Sequence, residues 1–154
     1  MLPQAFFSSP GTLGTYEFVR ANATEAELGK YAGNLFAAMK VAYANIVADI
    51  AAALDEAEYE NVRKIVAHDR RIGDAWMNVD HNSYRGFAGI CLPKDAAALL
   101  VAMGELSKKK TAKAKEKLLL EKGAAVIRAV LDYNNALLAS QGLSWSDVGV
   151  HDKE

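Results

Sequence analysis

Residues 24–54 read TEAELGKYAGNLFAAMKVAYANIVADIAAAL, and this stretch decides the fold. It contains no proline and much alanine, the best helix former, and Leu28, Tyr31, Leu35, Met39, Ala42, Ile46 and Ile50 recur at steps of three and four residues. Thr24-Glu-Ala-Glu27 has the spacing of a capping box, in which a hydroxyl accepts an orphan amide hydrogen and the glutamate reaches back to the cap. The expectation is one helix of about 30 residues starting near residue 25. Apolar side chains on most of its sides place it against other helices or a second subunit.

Working outward, a shorter helix is expected from about Glu56 to His68, with Tyr59, Val62, Ile65 and Val66 on its inner face. Asp69 to Ala88 reads as a loop rich in Asp, Asn, Gly and Arg, long enough to suggest a functional segment. Pro93 suits the first turn of a third helix, from Lys94 to about Ser107. Lys108 to Lys117 is a basic run without aromatic residues, read as a solvated helix face or a hinge rather than a nucleic-acid site. A last helix spans Glu116 to Ser140, with Leu119, Val126, Val130, Tyr133 and Leu137 inward and Gly142 ending it. The fold class is therefore all-α. Residues 1–22 form an extended lead-in, 23–142 the helical domain and 143–154 a tail.

Composition agrees with one folded domain. Hydrophobic residues make up 51% of the 154 and charged residues 24%, and the net charge of -1 gives no overall pull toward nucleic acid or anionic membrane. The single cysteine excludes an internal disulfide, and the N-terminus lacks a basic region followed by a long apolar one, so the expected location is cytoplasmic. No metal site is expected.

The chemistry concentrates in Arg85-Gly-Phe-Ala-Gly-Ile-Cys-Leu-Pro-Lys-Asp95, where Cys91 lies between a glycine-containing loop and a proline-started helix. A thiol at a helix N-terminus beside a lysine favours the thiolate, because unpaired amide hydrogens and a cation stabilise negative charge. The alternative is a small buried hydrophobe. Lys30 and Asn34 lie one helical turn apart, and Asn45 follows on the same face about three turns on. Such a polar stripe either bridges helices or faces a ligand.

These residues resemble the UDP-glucose/GDP-mannose dehydrogenases, the nucleotide-sugar 6-dehydrogenases. Their motif Gly-(Phe/Tyr)-Gly-Gly-x-Cys-(Leu/Phe)-(Pro/Gln)-Lys-Asp is matched at Gly86, Phe87, Gly89, Cys91, Leu92, Pro93, Lys94 and Asp95. The order Glu27, Lys30, Asn34, Asn45 and the run Arg71, Ile72, Gly73 match two further elements. The similarity covers roughly residues 22–104, with a weaker echo in Val130-Leu-Asp-Tyr-Asn-Asn135. The resemblance implies a central helical domain akin to the C-terminal helical domain of 6-phosphogluconate dehydrogenase. It implies oxidation of a sugar C6 alcohol to the acid by two NAD-dependent hydride transfers through a cysteine thioester. Cys91 would be the nucleophile, Lys30 the cation at the developing oxyanion, Asn34 a partner of the reacting oxygen and Asp95 a helper for the attacking water. Arg71 would reach across a homodimer to the partner subunit's substrate, while Gly86, Phe87, Gly89 and Lys94 would line the substrate pocket.

Two departures matter. Ala88 replaces the first glycine of the family's pair, and a Cβ there would cost about 1–2 kcal/mol if that position required a positive φ. The inserted segment Asp80-His-Asn-Ser-Tyr84 lengthens the loop before the cysteine. Gly11-Thr-Leu-Gly14 is too short for a dinucleotide-binding turn, so no cofactor-binding residue is assigned, and the chain alone is expected not to turn over. The NAD seat would then belong to a separate dinucleotide-binding chain. A non-catalytic dimerising or nucleotide-sugar-binding module is the alternative reading.

Overall fold

In a computed structural model that describes residues 19–80 and 84–148, the opening stretch is a single 30-residue helix, α1 (Ala23–Ala52). Residues 1–18 of the expected lead-in over 1–22, part of the inserted loop segment and the last six residues lie outside the described residues. The cap falls two residues earlier than Thr24. Asn22 Oδ1 accepts from Glu25 N–H at 3.0 Å and Glu25 Oε2 accepts from Asn22 N–H at 2.8 Å, so Asn22-Ala-Thr-Glu25 forms the capping box. Asparagine caps at least as well as threonine, and the earlier start lets Ala23 and Thr24 join the helix.

Four further helices follow: α2 (Tyr59–Ala67), α3 (Cys91–Lys108), α4 (Ala114–Ser140) and the single turn α5 (Trp145–Val148). Among the described residues no strand element forms, and the fold is all-α. The middle of the basic run, Lys109 to Lys113, connects α3 to α4, and its two ends lie within those helices. These two helices pack as a hairpin against α1, around a core that includes Ala38, Val41, Ala42, Phe87, Ala96, Ile127 and Leu131. The α1 contribution is mostly alanine, which lets the helices approach closely.

Helix phase differs from expectation in three places. Ile65 of α2 is 75% exposed and no residue of α2 is fully buried, so that helix rides on the surface. In α4 the inward face is Ile127, Leu131, Asn134, Leu137 and Leu138, while Leu119 and Val126 are exposed. The most buried line is shifted by about one residue, 100° on a helix, although Val130 and Tyr133 pack against the core and Leu137 is buried as expected. Helix α3 begins at Cys91 rather than Lys94, with Pro93 third in line. The first four amide hydrogens of a helix have no internal partner, so proline is tolerated throughout that turn.

Helix α4 stops as Gly142 predicts. Gly142 N–H donates to Ala139 O and Leu143 N–H to Leu138 O, the paired bonds of a Schellman end. Beyond it, Trp145 packs against the core.

Helix α1 keeps a second apolar face away from the core. Phe36, Tyr43, Ile46 and Ile50 are all exposed, at 43% to 66%, although Ile46 and Ile50 belong to the stripe that the sequence marks out. By length and composition alone α1 could cross a membrane, but Lys40, Asn45 and Asp49 interrupt it and almost half of its apolar window is buried in the fold.

Candidate functional site

Cys91 is the first residue of α3 and is exposed, which removes the reading of a buried hydrophobe. One turn on, Asp95 is fully buried. A buried carboxylate requires partners, and it has two. Asn34 on α1 donates its side-chain amide to Asp95 Oδ2 at 2.5 Å, and Lys94 Nζ lies 3.3 Å from Oδ1. The Asn34 bond, with help from the charges of Lys94 and Lys30, holds the Asp95 carboxyl below the ordinary carboxylate range against the opposing effect of burial. Lys94 is correspondingly pushed up by Asp95. Oδ1 has no well-aligned hydrogen-bond donor among the described residues, so a buried acceptor is left with capacity to spare.

Lys30 is exposed one turn before Asn34, its ammonium 5.6 Å above the ring of Tyr31. The structure thus gathers Lys30, Asn34, Lys94 and Asp95 at the start of the helix that opens with Cys91. Arg71 stands apart. Its side chain is 89% exposed and its guanidinium bonds to Asp69 of its own loop. That loop is pinned by Lys40, buried in α1, whose ammonium donates to Ile72 O at 2.6 Å and Gly73 O at 3.0 Å. Asn45, the third residue of the polar stripe, bridges structure: its amide donates to Val41 O and its oxygen accepts from Arg85 Nε.

The loop before Cys91 is held from α4. Asn134 Oδ1 accepts from Phe87 N–H at 2.7 Å, and its Nδ2 donates to Phe87 O at 2.8 Å. Gln141 does the same two residues earlier, accepting from Arg85 N–H at 2.7 Å and donating to Arg85 O at 3.0 Å. The Phe87 ring is buried in the core. Arg85 adds bonds to Asn45 O and Asp49 Oδ1, and Tyr133 donates its hydroxyl to Asp49 Oδ2. Burial and that carboxylate raise the Tyr133 phenol well above its usual range.

Left-handed backbone occurs at Gly86 (φ 102) and Gly89 (φ 81), which flank Ala88. Ala88 itself has no positive φ, so its Cβ carries no such strain. None of Lys40, Gln141 and the buried Asn134 was picked out from the sequence. The echo around Val130 to Asn135 was the one available signal for Asn134.

The sequence profile of the UDP-glucose/GDP-mannose dehydrogenase family, central domain, matches residues 24–119, more than half of the chain. The chain belongs to this family. Among relatives of the UDP-glucose/GDP-mannose dehydrogenase family, the UDP-glucose 6-dehydrogenase of Rickettsia bellii is 39% identical over 83 residues, covering 54% of this chain and 18% of the relative. That of Haloferax volcanii is 37% identical over 91 residues, covering 58% and 20%. That of Pseudomonas aeruginosa is 40% identical over 76 residues, covering 49% and 16%. The chain therefore spans a fifth or less of the length of these family members. No solved structure matches it significantly. The family match stops within α4, before Tyr133, Asn134 and Gln141.

Proposed function

We propose that this chain supplies the thiol and substrate-binding core of an NAD-dependent nucleotide-sugar 6-dehydrogenase, with UDP-glucose as the first candidate substrate. The observation that carries the reading is the Asn34–Asp95–Lys94 group beside an exposed Cys91 at a helix start. A thiolate is a strong nucleophile at neutral pH, and fixed donors aimed at a developing oxyanion are a large catalytic effect. Cys91 attacks the sugar's C6 aldehyde, and Lys30 and Asn34 stabilise the charge that forms on its oxygen. At the thioester stage Asp95 Oδ1, the spare acceptor, draws a proton from the water that attacks the carbonyl, which breaks the carbon–sulfur bond, releases the acid and returns the Cys91 thiol. Gly89 and Lys94 face the sugar and its phosphates, while the buried Gly86 and Phe87 act through the loop that they anchor. NAD would supply the hydride acceptor for the two oxidations. The described helices contain no strand leading into a glycine-rich phosphate turn, so they do not fit a dinucleotide, and no hydride step is derived from them. The isolated chain accordingly binds without turning over, and it works in the cytoplasm.

Titration calorimetry tests this. UDP-glucose or GDP-mannose should give measurable heat, and Lys30→Ala should weaken that binding by about tenfold, the loss expected for one charge-assisted contact. No heat with either sugar nucleotide sinks the proposal.

The exposed face of α1 supports a homodimer as part of the same reading. Phe36, Tyr43 and Ile50 are spaced by seven residues with Ile46 between them, the repeat that seams two helices together. Arg71 projects into solvent and would exchange its bond to Asp69 for a second copy's substrate. Light scattering should give twice the 16.6 kDa chain mass. The double variant Tyr43→Glu/Ile50→Glu should give the monomer mass, and a wild-type monomer would contradict the seam.

A further inference from the structure

We propose that Asn134 and Gln141 on α4 are positioning residues for the cysteine loop, setting the shape in which Gly86 to Gly89 and Cys91 meet a nucleotide sugar. This rests on the function proposed above but concerns residues beyond the span that matches the family. A side-chain carboxamide presents one N–H and one C=O, as a peptide group does. In an antiparallel pair, opposed residues exchange both of these bonds. Asn134 and Gln141 reproduce that exchange with Phe87 and Arg85, two alternate residues of a loop that has no strand beside it among the described residues.

Four observations make the pair more than generic packing. Asn134 is 1% exposed, so its two bonds to Phe87 are shielded from competing water. Gly86, between the clasped residues, presses against Asn134 so closely that a Cβ would lie 2.8 Å from Oδ1. The clasped residues also lead, over only three more positions, to the thiol at Cys91. Gln141 is itself held by a bond from Nε2 to Leu137 O, one turn back on α4. A loop held at alternate residues keeps its intervening glycine in the left-handed conformation, and this orients the backbone from Gly86 to Gly89. Loss of either carboxamide leaves the thiol in place but lets that backbone wander, and misplacement of about 1 Å can cost on the order of a hundredfold in a site of this kind.

The test uses Asn134→Leu, Gln141→Met and, as a comparator, Tyr59→Phe, which removes one tie to Met77 O away from the loop. UDP-glucose is the calorimetric probe, amide hydrogen exchange reports on Arg85 and Phe87, and thermal melting monitors folding. Gln141→Met should melt near the wild-type temperature yet bind UDP-glucose about threefold more weakly, and Asn134→Leu should weaken it by about tenfold. Exchange at Phe87 should rise about tenfold in Asn134→Leu, and at Arg85 in Gln141→Met, while Tyr59→Phe changes neither binding nor loop exchange. Gln141 is exposed, so its variant decides the matter even if Asn134→Leu does not fold. Raised exchange with unchanged affinity would reduce the clasp to a purely structural tie and overturn the proposal. If the wild-type chain binds no UDP-glucose, the proposed function falls, and the exchange arm still decides whether the carboxamides hold the loop: unchanged protection at both sites overturns that as well.

Discussion

Gly86→Ala is expected to lower the unfolding free energy by about 2–4 kcal/mol, the sum of a backbone and a contact effect. The first arises because φ at residue 86 is 102°, a region nearly closed to residues with a Cβ. The second arises because the new Cβ meets Asn134 Oδ1 at 2.8 Å, so the carboxamide must shift and release the buried Phe87 N–H. Gly89→Ala separates the two effects. Its φ is also positive, but nothing lies within 4 Å of a Cβ there, so it should cost only about 1–2 kcal/mol. Urea unfolding midpoints of the two variants provide the measurement, and equal losses would show that contact with Asn134 adds nothing.

Lys40→Met should cost about 2 kcal/mol and loosen the loop that carries Arg71. Lys40 is 8% exposed and forms no ion pair among the described residues, and its charge is met by two carbonyl oxygens at the end of the turn after α2. Methionine matches the aliphatic stem but removes both donors, leaving Ile72 O and Gly73 O without them. Relief from burying an ammonium works in the opposite direction, and in some proteins that term wins. Two short bonds to the charged group should outweigh it here. Chemical denaturation reads the stability, and hydrogen exchange over residues 69–75 reads the loop. A variant as stable as wild type would mean that desolvation cancels the bonds.

Both predictions depend on residues that the sequence did not flag, and the reason is the same for each. Periodicity identified α1, because its signal lies within one helix and repeats many times. The thiol at a helix start was legible from Cys91, Pro93 and Lys94, all close in sequence. Asn134 lies within the echo Val130 to Asn135, but nothing in that run says which side of α4 it occupies. Its partner, Phe87, lies 47 residues away. No local pattern reports such a pairing. Lys40 has the same difficulty, with acceptors 32 and 33 residues on. The cap was missed for a smaller reason: Asn22 and Thr24 both precede a glutamate by three residues, and spacing alone does not choose between them.

An irregular segment inside a helical fold would ordinarily display a row of unpaired backbone groups, the kind of margin onto which another polypeptide can add itself. Arg85 and Phe87 display none on the side facing α4, because two amide side chains already occupy those positions. On that side the two residues offer no unpaired backbone group to a foreign strand. That side of the loop can stay rich in glycine beside Cys91 without offering an open margin on which copies of the protein could aggregate.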